Sequence, residues 1–194
     1  MNNLYSVYHD VDLTERDRDF IVRWHYSKSY RSLKQKHIFR LIENETRRLV
    51  GIAVYGDPIS IHYNEQNLIE LRRLCLVDDT PRNSESFFIA KTLKFLSKHT
   101  EYDKVISFAD PNVGHLGTIY KASNFKYEEN PTSYPSQVIK MGDKVIHKRE
   151  MYAKKDGEYT NSALRIQEMV SNGEAEVLNQ KNKIKYVYDL RWVW

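Results

Sequence analysis

The sequence contains little cysteine, glycine or proline. One cysteine, Cys75, leaves no partner for an intramolecular disulfide and no cluster for a structural zinc, so we expect an intracellular, reducing setting. Cys75 lies between Leu74 and Leu76, which predicts a buried small hydrophobe. Seven glycines and five prolines are spread over 194 residues without a repeat or a flexible linker. We therefore expect one domain over residues 1–194.

Long apolar runs and common catalytic motifs are also missing. No window reaches the ~18–20 apolar residues of a membrane span, and the first residues lack the charge order of a signal peptide, so we expect no membrane partner. Neither a Walker motif nor G-x-G-x-x-G occurs, which gives no support to a nucleoside triphosphate or dinucleotide site. No G-x-S-x-G elbow indicates a serine acyl-enzyme.

Acidic residues are absent from residues 21–42, although the net charge of the chain is only +4. That charge is too small to indicate nucleic-acid binding by itself. Within 21–42, however, six Lys or Arg residues alternate with aromatic rings such as Trp24, Tyr26 and Tyr30. This mixture is typical of surfaces that bind nucleic acid, and an ordinary solvated face is the alternative.

Apolar periodicity predicts an α/β or α+β sheet rather than a helix bundle. Helices are predicted at 14–24, about 84–99, 114–124 (with Leu116, Ile119 and Tyr120 inward) and 160–171. Strands are predicted at 37–42, 48–55, 69–77, 104–109, 125–127 and 184–190, with a hairpin formed by 137–141 and 144–152.

A polar turn, DDTPRNSES, joins the strand at 69–77 to the next helix. Free N–H groups and the positive end of the helix dipole make such a junction an anion site. Arg82, Asn83, Ser84 and Ser86 could donate further hydrogen bonds to a phosphate. The alternative is that Asn83 or Ser84 only caps the helix.

The segment SFADPNVGHLGTIY places chemistry-bearing residues after a short buried strand. Asp110 would lie at the carboxyl edge of the sheet, where open α/β sheets bind ligands. His115 and Tyr120 follow near the same opening, and Gly114 and Gly117 allow close backbone approach. These groups could act as general acid, general base or metal ligands. Helix capping by Asp110 and core packing by Tyr120 are the alternatives.

The order of elements over 69–127 resembles the acyl-CoA-binding core of the GNAT acyltransferase superfamily. TIYKASNFKY stands where that superfamily has a helix with a Tyr followed by a strand. The usual glycine pair of the pyrophosphate loop is replaced by PRNSES. The resemblance implies a mixed, mostly antiparallel central sheet flanked by helices, and acetyl-CoA as the donor.

Four motifs, HYS at 25–27, IELRRLCL, PRNSES and SFADPNVGHLGTIYKASNF, are similar to the Mom family of bacteriophage DNA modification proteins. The similarity covers about residues 24–127, with 137–194 as a C-terminal hairpin, helix and strand extension. It implies an enzyme that places a methylcarbamoyl, acetamido-like group on N6 of adenine in double-stranded DNA. Such a group would block host restriction, in the cytoplasm of the infected bacterium.

The same resemblance implies roles for individual residues. His25, Tyr26 and Asp110 would form a catalytic or metal cluster, with iron as the metal. Arg73 and Ser86 would lie at the donor site, and Tyr120 near the reacting group. Because adenine N6 is paired in the duplex, the base must leave the stack. The candidates for stacking on it are Trp24, Tyr26, Tyr30 and Tyr55, and those for phosphate contacts are Lys28, Arg31, Lys34 and Lys36.

Two other functions remain open at this point. The order of the core elements alone also fits a GNAT-type N-acetyltransferase that acts on a small amine or a protein. The basic segment together with the missing glycine loop fits a non-catalytic DNA-binding module.

Overall fold

The computed structural model describes residues 1–30, 34–60, 63, 66–129 and 136–192. The α-helices are α1 Glu15–Trp24, α2 Ser84–His99, α3 Thr118–Ala122 and α4 Asn161–Ser171. The strands are β1 Tyr5–Asp10, β2 Gln35–Glu43, β3 Leu49–Gly56, β4 Leu68–Leu76, β5 Lys104–Ala109, β6 Lys126–Glu128, β7 Gln137–Met141, β8 Lys144–His147, β9 Lys154–Lys155, β10 Glu158–Tyr159, β11 Glu176–Asn179 and β12 Ile184–Asp189. Within these ranges, no helix is long and apolar enough to cross a membrane.

The chain groups into two compact units. The first comprises Met1–Ala109, His115–Glu129 and Ile184–Trp194, and the second comprises Asp110–Gly114 and Asn130–Lys183. The expected single domain over 1–194 stays a prediction. One detail of it is corrected: β12, expected in the C-terminal extension, belongs to the sheet of the first unit.

The first unit is built on a seven-stranded sheet in the order β1-β2-β3-β4-β5-β12-β6. The described pairs are antiparallel except β4 with β5, which is parallel. The core of this unit contains residues from the sheet together with Phe20 and Ile21 of α1 and Phe88 and Leu96 of α2. The predicted mixed, mostly antiparallel sheet with flanking helices is confirmed.

A capping box fixes the start of α1. Thr14 accepts a hydrogen bond from the Asp17 backbone N–H, and the Asp17 carboxylate accepts one from the Thr14 backbone N–H. Asp17 is 1% exposed, and Arg40 of β2 donates to both of its carboxylate oxygens, at 2.8 and 2.6 Å. This pair attaches α1 to the sheet.

The second unit has a three-stranded sheet in the order β11-β7-β8 and a small core of Ile139, Ile166 and Ala175. Thr160 caps α4 by accepting from the Ala163 N–H. The strand predicted at 144–152 is shorter than expected, because β8 ends at His147 and a 3₁₀ turn follows.

The helix predicted at 114–124 begins only at Thr118. Gly114 and Gly117 have φ of +80° and +77°, left-handed conformations that a helix does not contain. The prediction that Leu116 faces inward is wrong, since its side chain is 59% exposed. The three residues before α3 therefore form a turn.

His9 and His37 form a pair whose protonation opposes folding. Their rings approach to 2.9 Å (Nε2 to Nδ1), and burial lowers the pKa of each. At His9 the Asp10 carboxylate opposes this shift and His99 adds to it, and at His37 both His9 and Lys36 add to it. In the unfolded chain both titrate near 6.5, so the unfolded state binds more protons as the pH falls. The folded chain is therefore less stable at pH 5.5 than at pH 7.5.

We expect the His9→Gln/His37→Gln variant to lose less stability than the parent when the pH is lowered from 7.5 to 5.5. Urea unfolding midpoints at the two pH values measure the difference. The exposed His115→Gln variant is the control and keeps the parental pH profile. A double variant with the parental profile would contradict the interpretation.

Candidate active site

β4 and β5 are hydrogen-bonded only near their first residues and then separate. Residues 68–70 pair with residues 104–106, and no pairing of these two strands is described beyond them. The register of β4 against β3 shifts between Val54 and Tyr55, a β-bulge of the kind that bends a strand. The gap opens at the carboxyl end of β5. Main-chain groups along such a gap can bond an extended ligand.

Tyr120 of α3 lies at this gap. Its hydroxyl is hydrogen-bonded to the fully buried Ser107 of β5, whose own hydroxyl donates to the Leu71 carbonyl of β4 at 3.0 Å. Burial, with smaller contributions from the nearby Tyr26 and Glu70, raises the pKa of Tyr120 to about 12 against the lowering effect of its hydrogen bond to Ser107. The phenol is therefore protonated at neutral pH and can donate a proton.

Three rings, those of His25, Tyr26 and His115, form what we call the site mouth. The Tyr26 ring centroid lies 4.4 Å from that of His25 and 5.0 Å from that of His115. Tyr26 is 44% exposed and His25 is buried. Nδ1 of His25 accepts a hydrogen bond from the Ser27 backbone N–H at 3.1 Å. Because a backbone N–H can only donate, the neutral ring carries its proton on Nε2.

A half-buried guanidinium and a buried carboxylate lie close enough to each other to interact electrostatically. Arg73 donates from Nε to the Ser29 carbonyl at 3.1 Å, and burial lowers its pKa against the attraction of Tyr26 and Glu70. Glu70 is 7% exposed, and its Oε2 accepts from the Ile59 N–H at 3.0 Å. Positive and negative charge are thus held beside the gap.

A cleft of about 1020 Å³ lies on the same unit; its lining includes residues of α2 and β12 and the residues 122–124, 126 and 128, and we call it the donor cleft. Asn83 and Ser86 line it, together with three lysines: Lys94, Lys104 and Lys126. The buried hydroxyl of Ser123, also in the lining, has no hydrogen-bond partner within the described part of the chain. Glu128 and Asp189 also line the cleft, so its three lysines exceed its carboxylates by one, and the unused hydroxyl adds a donor for a phosphate-bearing ligand.

The polar turn before α2 contributes fewer residues to the predicted anion site than the sequence suggests. Ser84 is fully buried, and its hydroxyl donates to the Pro81 carbonyl at 2.7 Å. Ser86 donates to the carbonyl of Asn83, which occupies the N-cap position without a side-chain capping bond. Arg82 is exposed. Of the four residues predicted there, Asn83 and Ser86 border the donor cleft.

Comparison with known protein families shows to which family the chain belongs. The family model described as the Mom protein family matches residues 11–193. The chain belongs to the Mom family. Among its relatives, the methylcarbamoylase Mom of Escherichia phage Mu is 29% identical over 179 residues, which is 88% of this chain and 70% of the phage Mu protein. The family predicted from the sequence motifs is confirmed.

Solved GNAT structures share the fold of this Mom family member. An acetyltransferase of Bacillus subtilis in complex with CoA matches with a TM-score of 0.55 and 8% identity, over 95% of this chain and 98% of the other. A GNAT family acetyltransferase of Elizabethkingia anophelis with acetyl-CoA bound matches with a TM-score of 0.54 and 10% identity, over 95% and 97%. At such low identity the likeness shows the fold, and it confirms the predicted GNAT-like sheet.

Asp110, expected beside His25 and Tyr26 from the Mom resemblance, belongs to the second unit. Its Oδ1 accepts from the Asn112 backbone N–H at 3.0 Å and from the Asn112 side-chain amide at 2.9 Å, and its Oδ2 is 4.0 Å from Nζ of Lys183. This is the geometry of a helix cap, the alternative that the sequence left open. Its catalytic role stays a prediction.

The predicted iron ligands do not fit a resident metal. Nδ1 of His25 accepts from Ser27 N–H and Nε2 carries the ring proton, so neither nitrogen offers a free lone pair. Only one oxygen of the Asp110 carboxylate, Oδ1, accepts hydrogen bonds from Asn112, and its role as a ligand stays a prediction. In the part of the chain that the structure describes, no group of three His, Cys, Asp or Glu side chains could hold a metal.

The predicted DNA-contacting lysines differ in their surroundings. Lys34 is exposed. Lys28 donates to the Arg23 carbonyl at 2.6 Å, and Nζ of Lys36 lies 2.5 Å from a carboxylate oxygen of Asp57. Arg31 lies outside the described residues. The role of these residues in DNA contact stays a prediction.

The predicted stacking rings also differ. Tyr55 cannot stack on a base, because it is fully buried and its hydroxyl is 2.5 Å from that of Thr92. Trp24 is half-buried against the core, whereas Tyr26 and Tyr30 are exposed. Cys75 is buried as predicted, and burial raises the pKa of its thiol to about 12.

Sequence reasoning missed Glu70, Ser107 and the lysines of the donor cleft. Glu70 could have been recognised from the sequence, because a carboxylate in the otherwise apolar start of IELRRLCL is unusual in a buried strand. Ser107 and the lysines carry none, since their roles depend on which strands and helices become neighbours.

Proposed function

We propose that this Mom family protein is an acyltransferase-like enzyme of phage DNA modification that places a methylcarbamoyl or acetamido-type group on adenine N6. The observation that carries the proposal is the buried Tyr120 hydroxyl at the gap between β4 and β5, in a chain that matches the Mom family over residues 11–193. The name of the phage Mu relative, a methylcarbamoylase, supports the choice of group. A modified N6 would protect the DNA from host restriction.

The donor cleft fits an acyl-CoA, which supplies an acyl group activated as a thioester. Lys94, Lys104 and Lys126 would pair with its phosphates, and the Ser123 hydroxyl would gain a partner. Asn83 and Ser86 line the cleft at the start of α2, where the helix dipole favours an anion. The GNAT proteins of the same fold include ones with CoA and acetyl-CoA bound, which supports this choice of donor.

Different residues of the site accept and donate the protons that the reaction moves. In transfer from an acyl-CoA, attack by N6 on the thioester carbon forms the N6–C bond and breaks the C–S bond, and the buried Glu70 carboxylate takes the proton released from N6. This step alone gives an N6-acyl adenine, so a methylcarbamoyl product requires a second substrate that supplies its amide nitrogen. Tyr120 gives its proton to the departing group, as a phenol with a raised pKa can do at neutral pH. Nε2–H of His25 donates a hydrogen bond that orients the acceptor.

Tyr26 presents the acceptor. Adenine N6 is inaccessible within a stacked pair, so the base must leave the duplex and rest on a ring at the protein surface. Tyr26 is an exposed tyrosine ring of the site mouth, and Arg73 and Tyr120 lie close enough to interact with it electrostatically.

The test is a nucleoside mass spectrum of DNA from cells that express the protein. We expect a modified deoxyadenosine, lowered about 10- to 100-fold in Tyr26→Ala because stacking on one aromatic ring is worth about 1–3 kcal/mol. Tyr8→Ala, at a tyrosine that is equally 44% exposed on β1, is the matched control and keeps the parental level.

Unmodified nucleosides from cells with abundant soluble protein would overturn the proposal. Acetyl-CoA turnover that is independent of DNA would then favour the N-acetyltransferase. Salt-sensitive DNA binding without turnover would favour the non-catalytic module.

A further inference from the structure

The turn at residues 115–117 carries an apolar side chain next to the site mouth. His115 belongs to the site mouth through its contact with Tyr26, and α3, which bears Tyr120, begins at Thr118. Leu116 lies between them in the chain. Leu116 therefore lies at the rim of the candidate active site. An acceptor crosses this rim on its way to the Tyr120 hydroxyl.

Leu116 is exposed on a rigidly held backbone. Its side chain is 59% exposed, while its carbonyl accepts a hydrogen bond from the hydroxyl of the buried Tyr186 at 2.8 Å. Gly117 lies so close to the same ring that a Cβ there would be 2.2 Å from Tyr186 Cε2. The main chain is thus packed against the core, and the leucine side chain points away from it without burial.

We propose that Leu116 inserts into the DNA duplex and fills the space that the target adenine leaves in the base stack. Proteins that open or kink DNA insert apolar side chains between bases, which offsets the lost stacking. Leu116 directly follows His115, whose ring contacts that of Tyr26, so it would supply that apolar wedge close to where the flipped base would be received. This inference rests on the proposed function and adds the step by which the duplex is opened.

The experiment compares two forms of one substrate. ¹⁵N-labelled plasmid DNA is added, native or heat-denatured, to lysates of cells that express each variant, so that the lysate supplies the donor. Modified deoxyadenosine is then measured in the labelled nucleosides. We expect Leu116→Ala to lower modification of native DNA about tenfold or more and to leave denatured DNA within about twofold, because only the native form pays for unstacking.

Leu116→Phe, which keeps a large apolar side chain, retains modification of native DNA. Val11→Ala, at another exposed apolar residue after β1, is the matched control and changes neither substrate. The proposed insertion of Leu116 would be overturned if Leu116→Ala lowered the modification of native and denatured DNA equally. It would also be overturned if this variant modified native DNA as well as the parent does. A parental protein that modifies neither form would instead overturn the proposed function itself.

Discussion

Replacing Tyr120 with Phe is expected to lower the rate of DNA modification by about 10²–10⁴-fold, the usual contribution of a positioned proton donor. The variant keeps the ring, whose centroid lies 5.5 Å from that of Phe125 and 5.3 Å from that of Tyr186. It removes only the hydroxyl that is hydrogen-bonded to Ser107. The rate is measured as accumulation of modified deoxyadenosine on plasmid DNA added to lysates that contain equal amounts of protein.

The control for this prediction is Tyr127→Phe on β6, at a tyrosine that is 63% exposed. It retains the parental rate. Thermal unfolding separates chemistry from folding, because Tyr120→Phe should melt close to the parent. A Tyr120→Phe variant with the parental rate would mean that the phenol only packs, the alternative that the sequence left open.

Replacing Asp17 with Ala is expected to lower the free energy of unfolding by about 3 kcal/mol. Removing one partner of a buried ion pair costs about 3–5 kcal/mol, and the lower end applies because Asp10 still pairs with Arg40 at 2.9 Å. The capping box of α1 is lost as well. The hydrogen bonds from Arg40 and Thr14 hold the pKa of Asp17 below its usual range despite the opposing effect of burial.

Urea unfolding of four chains tests the ion pair. Asp19→Ala, an exposed position on the same helix, stays within about 0.5 kcal/mol of the parent. Asp17→Ala/Arg40→Leu is more stable than Asp17→Ala, because it no longer holds a half-buried guanidinium that has lost one of its two carboxylate partners. Equal stabilities of the parent and Asp17→Ala would show that the pair does not hold α1 to the sheet.

Local sequence patterns predicted most elements of the first unit. The alternation in HIFRLI and IELRRLCL became β2 and β4, and the capping Thr14 became the start of α1. Each of these depends on side chains within a few residues of one another.

Side-chain direction was less predictable. Tyr55 and Tyr26 are alike in sequence terms, yet Tyr55 points into the core beside Thr92 while Tyr26 lies at the surface. Leu116 was predicted to be buried because helical spacing was extended through Gly117, whose positive φ ends that spacing. Asp110 was expected near His25 from the family resemblance alone; it belongs to the second unit, where Asn112 and Lys183 contact its carboxylate.

The position of β12 has a consequence for how the chain folds. β12 lies between β5 and β6, and the described pairing of β6 is with β12 alone. Strand β6, and with it the segment that bears Tyr120, therefore cannot complete its side of the sheet until residues 184–189 have been made and have docked. Contacts between residues so far apart in sequence are slow to form. During synthesis the free edge of β5 is exposed to pairing with other chains, so slow translation or truncation before residue 184 would favour aggregation over an active site.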